Sequence, residues 1–176
     1  MSMHVVPPVA LSQAEFAPFG EALLKPRSPG TSAGDGWECW FDIGTLHGAD
    51  MRLGQVVTEP TSAPIEVMER HPDDELLVPV TGTLLQAVAP SANVNDPADR
   101  PESTATQVFR IEPGEAIIIR AGTWHAAARP LTERCLYYFA GLPHAPEPGR
   151  EHDPWVRFAN EMTVVIDPSM TTVRQI

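Results

Sequence analysis

Short apolar runs that are separated by proline and other turn-forming residues are the feature that most constrains how this chain can fold. The 176 residues include 19 prolines, and most of them fall between the runs. A proline has no amide donor, so it disturbs strand pairing least when it lies between strands. Several runs are also rich in β-branched or aromatic residues, which favour strands. The runs that predict strands are W-E-C-W-F-D-I, M-R-L-G-Q-V-V, E-L-L-V-P-V, T-L-L-Q-A-V-A, A-I-I-I-R and C-L-Y-Y-F-A.

Helical signals are few, and both predict short helices. Ser12 to Glu15 has the form of a capping box ahead of Phe16. Asp153 and Pro154 predict an N-cap and a first helical residue that open a helix through W-V-R-F-A-N. Residues 90–106 and 142–154 are polar and turn-rich, and predict two loops, the first of them between two strands and without core residues.

We find no internal repeat and no linker composition in the sequence. Residues 1–176 are therefore expected to form a single domain, large enough to bury a sizeable core. The expected fold class is all-β, as an antiparallel β-sandwich or small barrel with a few short peripheral helices.

The charge of the chain restricts its partners. The formal net charge is -11 and the pI is near 4.8, which opposes non-specific binding to nucleic acid and to anionic membranes. No apolar run approaches the roughly 20 residues that span a bilayer, and the N-terminal residues lack the pattern of a secretory signal. We therefore expect a cytoplasmic protein. Cys39 and Cys135 lack C-x-x-C spacing and predict buried thiols.

Two sequence motifs offer ligands at metal-binding spacing. The first, E-R-H-P-D-D-E-L-L-V-P-V-T-G, places Glu69, His71 and Glu75 close together. In an extended strand Glu69 and His71 share one face. The second, G-E-A-I-I-I-R-A-G-T-W-H, leads through a glycine turn to His125. Two imidazoles with one or two carboxylates suit Zn, Mn, Fe or Ni, and the sequence does not rank these metals. The predicted metal ligands are Glu69, His71, Glu75 and His125.

Each motif by itself also allows a structural interpretation. E-x-H-x-x-x-E is common on solvated hairpins, and a single histidine after a glycine turn is more often hydrogen-bonded than metal-bound. Asp73 and Asp74 predict a solvated turn. Four other histidines predict surface or structural roles: His4, His47, His144 and His152.

Two further residues are candidate substrate contacts. Arg120 ends an isoleucine run, where its guanidinium could bind a substrate carboxylate or form a salt bridge at the rim. Trp124 could form a wall of the pocket or belong to the core. Arg52 and Arg70 are weaker candidates for the carboxylate, and Arg70 should point away from the face that carries Glu69 and His71.

Together the two motifs resemble the signature motifs of the cupin superfamily. The first motif's spacing is kept by His71, Glu75 and Gly82, and the second motif's spacing is kept by Gly114, Gly122 and His125. Glu69 replaces the first histidine of the cupin pattern, and Arg120 replaces a proline. This resemblance implies a jelly-roll fold and a pocket that both motifs line.

A nearer resemblance is carried by M-E-R-H-P, V-A-P, the polar loop and P-G-E-A-I-I-I-R-A-G-T-W-H, in this order, with A-E-F-A-P-F-G-E near the N-terminus. These phrases resemble the ureidoglycolate lyase family, formerly called ureidoglycolate hydrolases. The resemblance implies a carbon–nitrogen lyase, usually dimeric, that splits ureidoglycolate into glyoxylate and urea in purine-ureide (allantoin) catabolism. It also implies that Glu69, His71 and His125 are catalytic residues.

The chain departs from that family pattern at two places. Asp73, Asp74 and Glu75 stand where the family has a glutamine-containing stretch, and W-E-C-W-F-D-I-G replaces a segment that contains Asn, Gly and Arg. Two alternatives therefore stay open: a metal-dependent cupin enzyme that acts on another small hydroxy or ureido acid, and a non-catalytic cupin that binds a small molecule. The expected partner is a small carboxylate molecule.

Overall fold

A computed structural model describes residues 2–41, 43–141 and 155–170, and all structural statements concern these residues. One α-helix, α1 (Gln13–Phe16), and two 3-10 turns (Ser103–Ala105 and Pro168–Met170) accompany the strands of this part of the chain. The strands are, in chain order, β1 (Met3–Val6), β2 (Pro8–Ala10), β3 (Gly20–Leu23), β4 (Ser32–Gly34), β5 (Trp37–Cys39), β6 (Arg52–Thr58), β7 (Val67–Met68), β8 (Glu75–Thr81), β9 (Leu84–Ala89), β10 (Gln107–Ile111), β11 (Ala116–Ile119), β12 (Trp124–His125), β13 (Arg129–Pro130), β14 (Cys135–Gly141), β15 (Val156–Arg157) and β16 (Thr163–Ile166).

Two five-stranded sheets share one core and confirm the all-β prediction. The first sheet has the order β12-β9-β10-β2, and β13 also pairs with β9. The second sheet has the order β3-β11-β8-β14-β6 and is antiparallel throughout. Two pairs depart from the antiparallel pattern, because β2 lies parallel to β10 and β1 lies parallel to β16. Both pairs join segments that are distant in the sequence, which local patterns do not reveal.

Strand β9 is buried at every position because it separates two cores. Successive side chains of a strand point to opposite faces. Leu84 and Val88 therefore join the core between the two sheets, together with Ile117 of the second sheet. Leu85 and Ala87 join a second core, which includes side chains from β1, β7 and β16.

Five of the six predicted strand runs are confirmed. They correspond to β6, β8, β9, β11 and β14. The sixth run, W-E-C-W-F-D-I, forms only the three-residue strand β5, which pairs with β4 outside both large sheets. Trp37 is 54% exposed, so aromatic content in this run does not reflect burial in a sheet.

The first predicted helix is confirmed and the second is wrong. Ser12 Oγ accepts a hydrogen bond from the Glu15 amide at 3.2 Å, and Phe16 of α1 packs edge-on against Phe109 with ring centroids 5.0 Å apart. In place of the second helix, β15 pairs with β7. The buried Phe158 follows that strand, so tertiary pairing and burial outweigh the local helix signal. Its predicted cap, residues 153–154, lies outside the described residues.

The predicted loop at residues 90–106 lies between β9 and β10. As predicted, no residue of this loop belongs to either hydrophobic core, although the polar residues Ser103 and Thr106 are buried. The second predicted loop, residues 142–154, lies outside the described residues. Among the described residues no helix has the length and hydropathy needed to cross a membrane.

Candidate metal and catalytic site

The two sequence motifs lie side by side in the structure. The backbones of Glu69 and His125 exchange two hydrogen bonds, each 2.9 Å long. Two residues further along, the His71 carbonyl accepts a hydrogen bond from the Gly122 amide at 2.7 Å. Glu75 is the first residue of β8 in the second sheet. Backbone pairing therefore brings four predicted ligands, from separate segments, to one place.

The turn before β12 requires glycine at position 122. Gly122 has φ +79°, a backbone conformation that residues other than glycine adopt only at an energetic cost. A Cβ atom there would also lie 2.6 Å from Val94 Cγ1. Both observations explain why glycine stands between the end of β11 and the strand that carries His125.

The four side chains contact one another within the buried interior. His125 Nε2 lies 3.1 Å from Glu75 Oε2 and 4.0 Å from Glu69 Oε1. His71 presents Nε2 to Glu69 Oε2 at 3.5 Å and Nδ1 to Glu75 Oε2 at 3.7 Å. The two imidazole rings meet edge to face, with centroids 4.7 Å apart. The side-chain exposures range only from 4% to 15%.

Three of these residues meet at a spacing that one metal ion could bridge. One ligand atom from each of Glu69, His71 and His125 lies within 4.8 Å of the other two. Metal bonds to nitrogen and oxygen are about 2 Å long, so one ion could contact all three atoms after small side-chain adjustments. Glu75, the fourth predicted ligand, is not part of this group, although it contacts both imidazoles.

The chemistry of the cluster favours a positive charge within it. His125 Nδ1 lies 3.0 Å from the Thr123 carbonyl, which can only accept, so Nδ1 carries a proton. The buried Nε2 makes no hydrogen bond of normal geometry but faces the Glu75 carboxylate. When Nδ1 carries the only proton of the ring, His125 Nε2 and Glu75 Oε2 are both acceptor atoms. At 3.1 Å these two atoms repel each other unless a proton or a cation lies between them. Burial lowers the pKa of His125, but Glu75, the Thr123 carbonyl and Glu69 outweigh it and raise this pKa. The residues therefore fit a bound divalent cation.

A cleft of about 380 Å³ reaches the cluster through His71. Its walls come from the first motif, the 90–106 loop and the turn before β12, namely Arg70, His71, Pro72, Val94, Asn95, Ala121 and Gly122. This volume lies within the range of small-molecule sites, which is about 300–1,000 Å³.

The two predicted substrate contacts lie outside this cleft. Arg120 is exposed, and its Nη2 donates to the Ala17 carbonyl at 3.3 Å. Trp124 is buried in the second core, and its Nε1 donates to Asp99 at 3.0 Å. Arg70, as predicted, points away from the faces of Glu69 and His71, and donates to side chains and carbonyls of the 90–106 loop.

The family model for ureidoglycolate lyase matches residues 3–155. The chain belongs to the ureidoglycolate lyase family. Membership makes it a lyase and confirms the resemblance that the motifs indicate. The comparison with curated protein sequences gives no match.

Several solved structures resemble this lyase family member. A TDP-quinovose 3,4-ketoisomerase from Campylobacter jejuni is 9% identical over 62% of this chain and 72% of that chain, with a TM-score of 0.40. A dTDP sugar isomerase from Desulfovibrio desulfuricans G20 is 10% identical over 80% and 85% of the two chains, with a TM-score of 0.43. RmlC from Streptococcus suis is 14% identical over 65% and 60%, with a TM-score of 0.38. Similarities this low carry no argument about the fold or the activity of the lyase.

Asp74, which the sequence predicts to lie in a solvated turn with Asp73, is buried. Its Oδ1 accepts from the Ala121 amide at 2.9 Å, and its Oδ2 accepts from the His47 amide at 2.9 Å. His47 Nδ1 lies 3.0 Å from the same carboxylate, so this histidine does have a partner. Asp74 therefore joins two distant segments beside the cleft, a role that no local sequence pattern indicates.

Tyr137 is a second site residue that the sequence interpretation missed. Its side chain belongs to the core between the sheets. Burial, together with electrostatic interactions with Glu75, Cys135 and Glu69, raises the pKa of Tyr137 to about 12. Its phenol therefore stays protonated near neutral pH. Strand alternation from the buried Cys135 could have indicated its inward direction.

Proposed function

We propose that the protein is a ureidoglycolate lyase that splits ureidoglycolate into glyoxylate and urea in the breakdown of purine ureides such as allantoin. The observation that carries this proposal is the convergence of Glu69, His71 and His125 within 4.8 Å, on the segments that carry the family's motifs. The substrate is a small carboxylate, and a cleft of about 380 Å³ has room for it.

We assign Glu69, His71 and His125 as the residues that would hold a divalent metal ion, with Mn, Fe, Ni and Zn as the candidates. When bound, the ion would supply a positive charge that attracts the substrate's oxygen atoms and stabilises negative charge that develops on them. The proton on His125 Nδ1 points to the Thr123 carbonyl, so the backbone orients the opposite nitrogen toward the cluster. Such support of a ligating histidine is common in metal sites.

The reaction requires two proton movements. The carbinol hydroxyl must lose its proton as a carbon–oxygen double bond forms, and the urea nitrogen must gain a proton as the carbon–nitrogen bond breaks. Glu75 lies beside both imidazoles but outside the three-ligand group. We assign Glu75 as the carboxylate that takes the hydroxyl proton and returns it to the departing nitrogen, which is general acid–base catalysis.

Binding of the substrate carboxylate by Arg120 and a contact with Trp124 stay predictions. Arg120 is exposed and would have to leave the Ala17 carbonyl to reach the cleft. Among the described residues, the only arginine that lines this cleft is Arg70, whose guanidinium is bound to the 90–106 loop. A carboxylate held by the metal site would not need either arginine.

The decisive experiment measures urea and glyoxylate release by purified protein, with each candidate metal added in turn, against the spontaneous decay in buffer. The wild type should accelerate release. We expect Glu75→Gln to lower kcat by about 10²–10⁴, the usual contribution of a general acid–base group. We expect His125→Ala to lower kcat as well, because it removes one of the residues that would hold the metal ion. His4→Ala, at a histidine outside the cluster, is the matched control and should keep full activity. Thermal melting of each variant separates loss of chemistry from loss of folding.

The outcomes also separate the alternatives. If metal-loaded wild type gives no acceleration over buffer, the lyase assignment fails and turnover of another small hydroxy or ureido acid becomes the better hypothesis. If the protein binds ureidoglycolate in calorimetry without converting it, a binding cupin is indicated. If His125→Ala keeps full activity, His125 has no part in the mechanism.

A homodimer and a cytoplasmic location complete the proposal. The outer face of β6 and β14 exposes apolar side chains, with Leu53 73% and Tyr138 38% exposed, which supports a protein contact at this face. Light scattering after gel filtration would measure the mass, and a monomer at micromolar concentration would contradict the dimer. Cell fractionation would test the location.

A further inference from the structure

A charged cluster lies behind the candidate site, on the side away from Glu69 and His71. The Oδ2 atom of Asp99 accepts three hydrogen bonds: from Arg70 Nη1 at 2.8 Å, from Ser91 Oγ at 2.6 Å and from Trp124 Nε1 at 3.0 Å. The Asp99 side chain is only 6% exposed and that of Arg70 only 15%. A buried carboxylate that has three donors is well satisfied, and removal of its charge leaves the Arg70 charge uncompensated.

Arg70 adds further contacts to the same loop. Its Nη1 and Nη2 donate to the carbonyls of Asn93 and Asp96, at 3.3 Å and 2.6 Å. Its guanidinium carbon also lies 4.6 Å from the centre of the Trp124 ring, which is a cation–π contact. The planar guanidinium therefore joins the loop at residues 91–99 to the strand that carries Trp124.

The residues of this cluster are chain neighbours of the site residues. Arg70 lies between Glu69 and His71, and Trp124 precedes His125. Successive residues of an extended chain point to opposite faces. Asp99 therefore contacts Arg70 and Trp124 on the faces of the two segments that point away from the candidate ligands. The direct links between the segments are few, since the Glu69–His125 pairing is an isolated bridge with two hydrogen bonds.

We propose that Asp99 is a positioning residue for the site: through Arg70 and Trp124 it holds the segments of Glu69, His71 and His125 in register. Asp99 touches none of the four clustered side chains and has no direct role in proton transfer. The part of this inference that concerns turnover rests on the proposed function. The part that concerns the backbone bridge does not.

The test compares Asp99→Asn with Asp96→Asn. Both substitutions remove one negative charge from the same loop, but within the described part of the chain the Asp96 side chain accepts only from the Ala98 amide. Hydrogen exchange is followed in peptides that contain the amides of Glu69 and His125, and kcat and KM for ureidoglycolate are measured on the metal-loaded protein. Ser91→Ala removes one donor from Asp99 and serves as a milder variant if Asp99→Asn does not fold.

We expect Asp99→Asn to accelerate exchange at the Glu69 and His125 amides by about 10-fold or more, the effect of losing one charge-assisted hydrogen bond. Exchange in β8 and β14 should stay close to that of the wild type. We expect kcat to fall by about 10-fold or more with a smaller change in KM, because misplacement of reacting groups affects turnover more than binding. Ser91→Ala should show a weaker effect at the same amides, and Asp96→Asn should show none.

Two results would overturn the proposal. One is equal exchange and equal kcat in Asp99→Asn and Asp96→Asn. The other is uniform acceleration throughout both sheets, which would assign Asp99 to global stability alone. If wild type does not turn over ureidoglycolate, the proposed function fails, while the exchange comparison still decides whether Asp99 holds the bridge.

Discussion

Replacement of Asp74 by alanine should destabilise the protein far more than the same replacement of its neighbour Asp73. The structure buries Asp74 to 5% exposure, and its carboxylate accepts hydrogen bonds from the backbone amides of His47 and Ala121. Asp73 is half-buried and accepts one longer bond, from the Ala49 amide at 3.3 Å. The two adjacent acids therefore form a matched pair that differs mainly in burial and partners.

The size of the effect follows from these contacts. The His47 ring is 74% exposed, so its ion pair with Asp74 contributes at most about 1 kcal/mol. Each backbone amide that loses its partner costs about 1–1.5 kcal/mol. We therefore expect Asp74→Ala to lower the free energy of unfolding by about 2–3 kcal/mol, which lowers Tm by roughly 4–12 °C in a chain of this size. Asp73→Ala should change it by less than about 1 kcal/mol.

Chemical denaturation with guanidinium, followed by tryptophan fluorescence, measures both variants against the wild type. Loss of Asp74 should also lower kcat/KM in the urea-release assay, since Ala121 and Gly122 line the cleft. If the free energies of unfolding of the two variants agree within about 0.5 kcal/mol, the limit of ordinary surface substitutions, then Asp74 does not join these segments in solution and the argument fails.

Two further predictions test the surroundings of the site. Gly122→Ala should reduce both Tm and kcat/KM, because φ is +79° and the added Cβ would lie 2.6 Å from Val94 Cγ1. The control is Gly114→Ala, where φ is +95° and no atom lies within 4 Å of the added Cβ, so it should cost only the backbone strain of about 1–2 kcal/mol. Equal losses of Tm in the two variants would contradict the steric argument. Burial raises the pKa of Asp99, but Ser91, Trp124 and Arg70 outweigh it and hold this pKa below its usual value of 3.8. The stabilisation by Asp99 should therefore be complete above the unfolded-state pKa and be lost as pH falls through the lower folded-state pKa. The free energy of unfolding, measured with guanidinium between pH 7 and about pH 3, should fall less in Asp99→Asn than in the wild type. An equal fall in the two proteins would refute the assignment of this stabilisation to Asp99.

The parts of this structure that the sequence predicts are those that depend on local alternation. The apolar runs locate β8, β9 and β11, and the E-x-H pattern correctly places Glu69 and His71 on one face. What the sequence misses depends on partners that are far away in the chain. Asp74 and His47 are 27 residues apart, so the adjacent acids resemble a solvated turn. The segment after Pro154 carries a good helix signal, but its pairing with β7 is a tertiary effect.

The E-R-H segment illustrates why register matters at this site. One face of the segment presents Glu69 and His71 to the imidazole of His125, and the other face presents Arg70 to Asp99 and Trp124. A shift of one residue in its pairing with β12 would exchange these faces. It would put the Arg70 guanidinium beside Glu75 and His125, and leave Glu69 and His71 against the loop. The binding of Arg70 by Asp99 and the pairing of Glu69 with His125 therefore favour the same register, so the rear contacts help to specify which side chains enter the site.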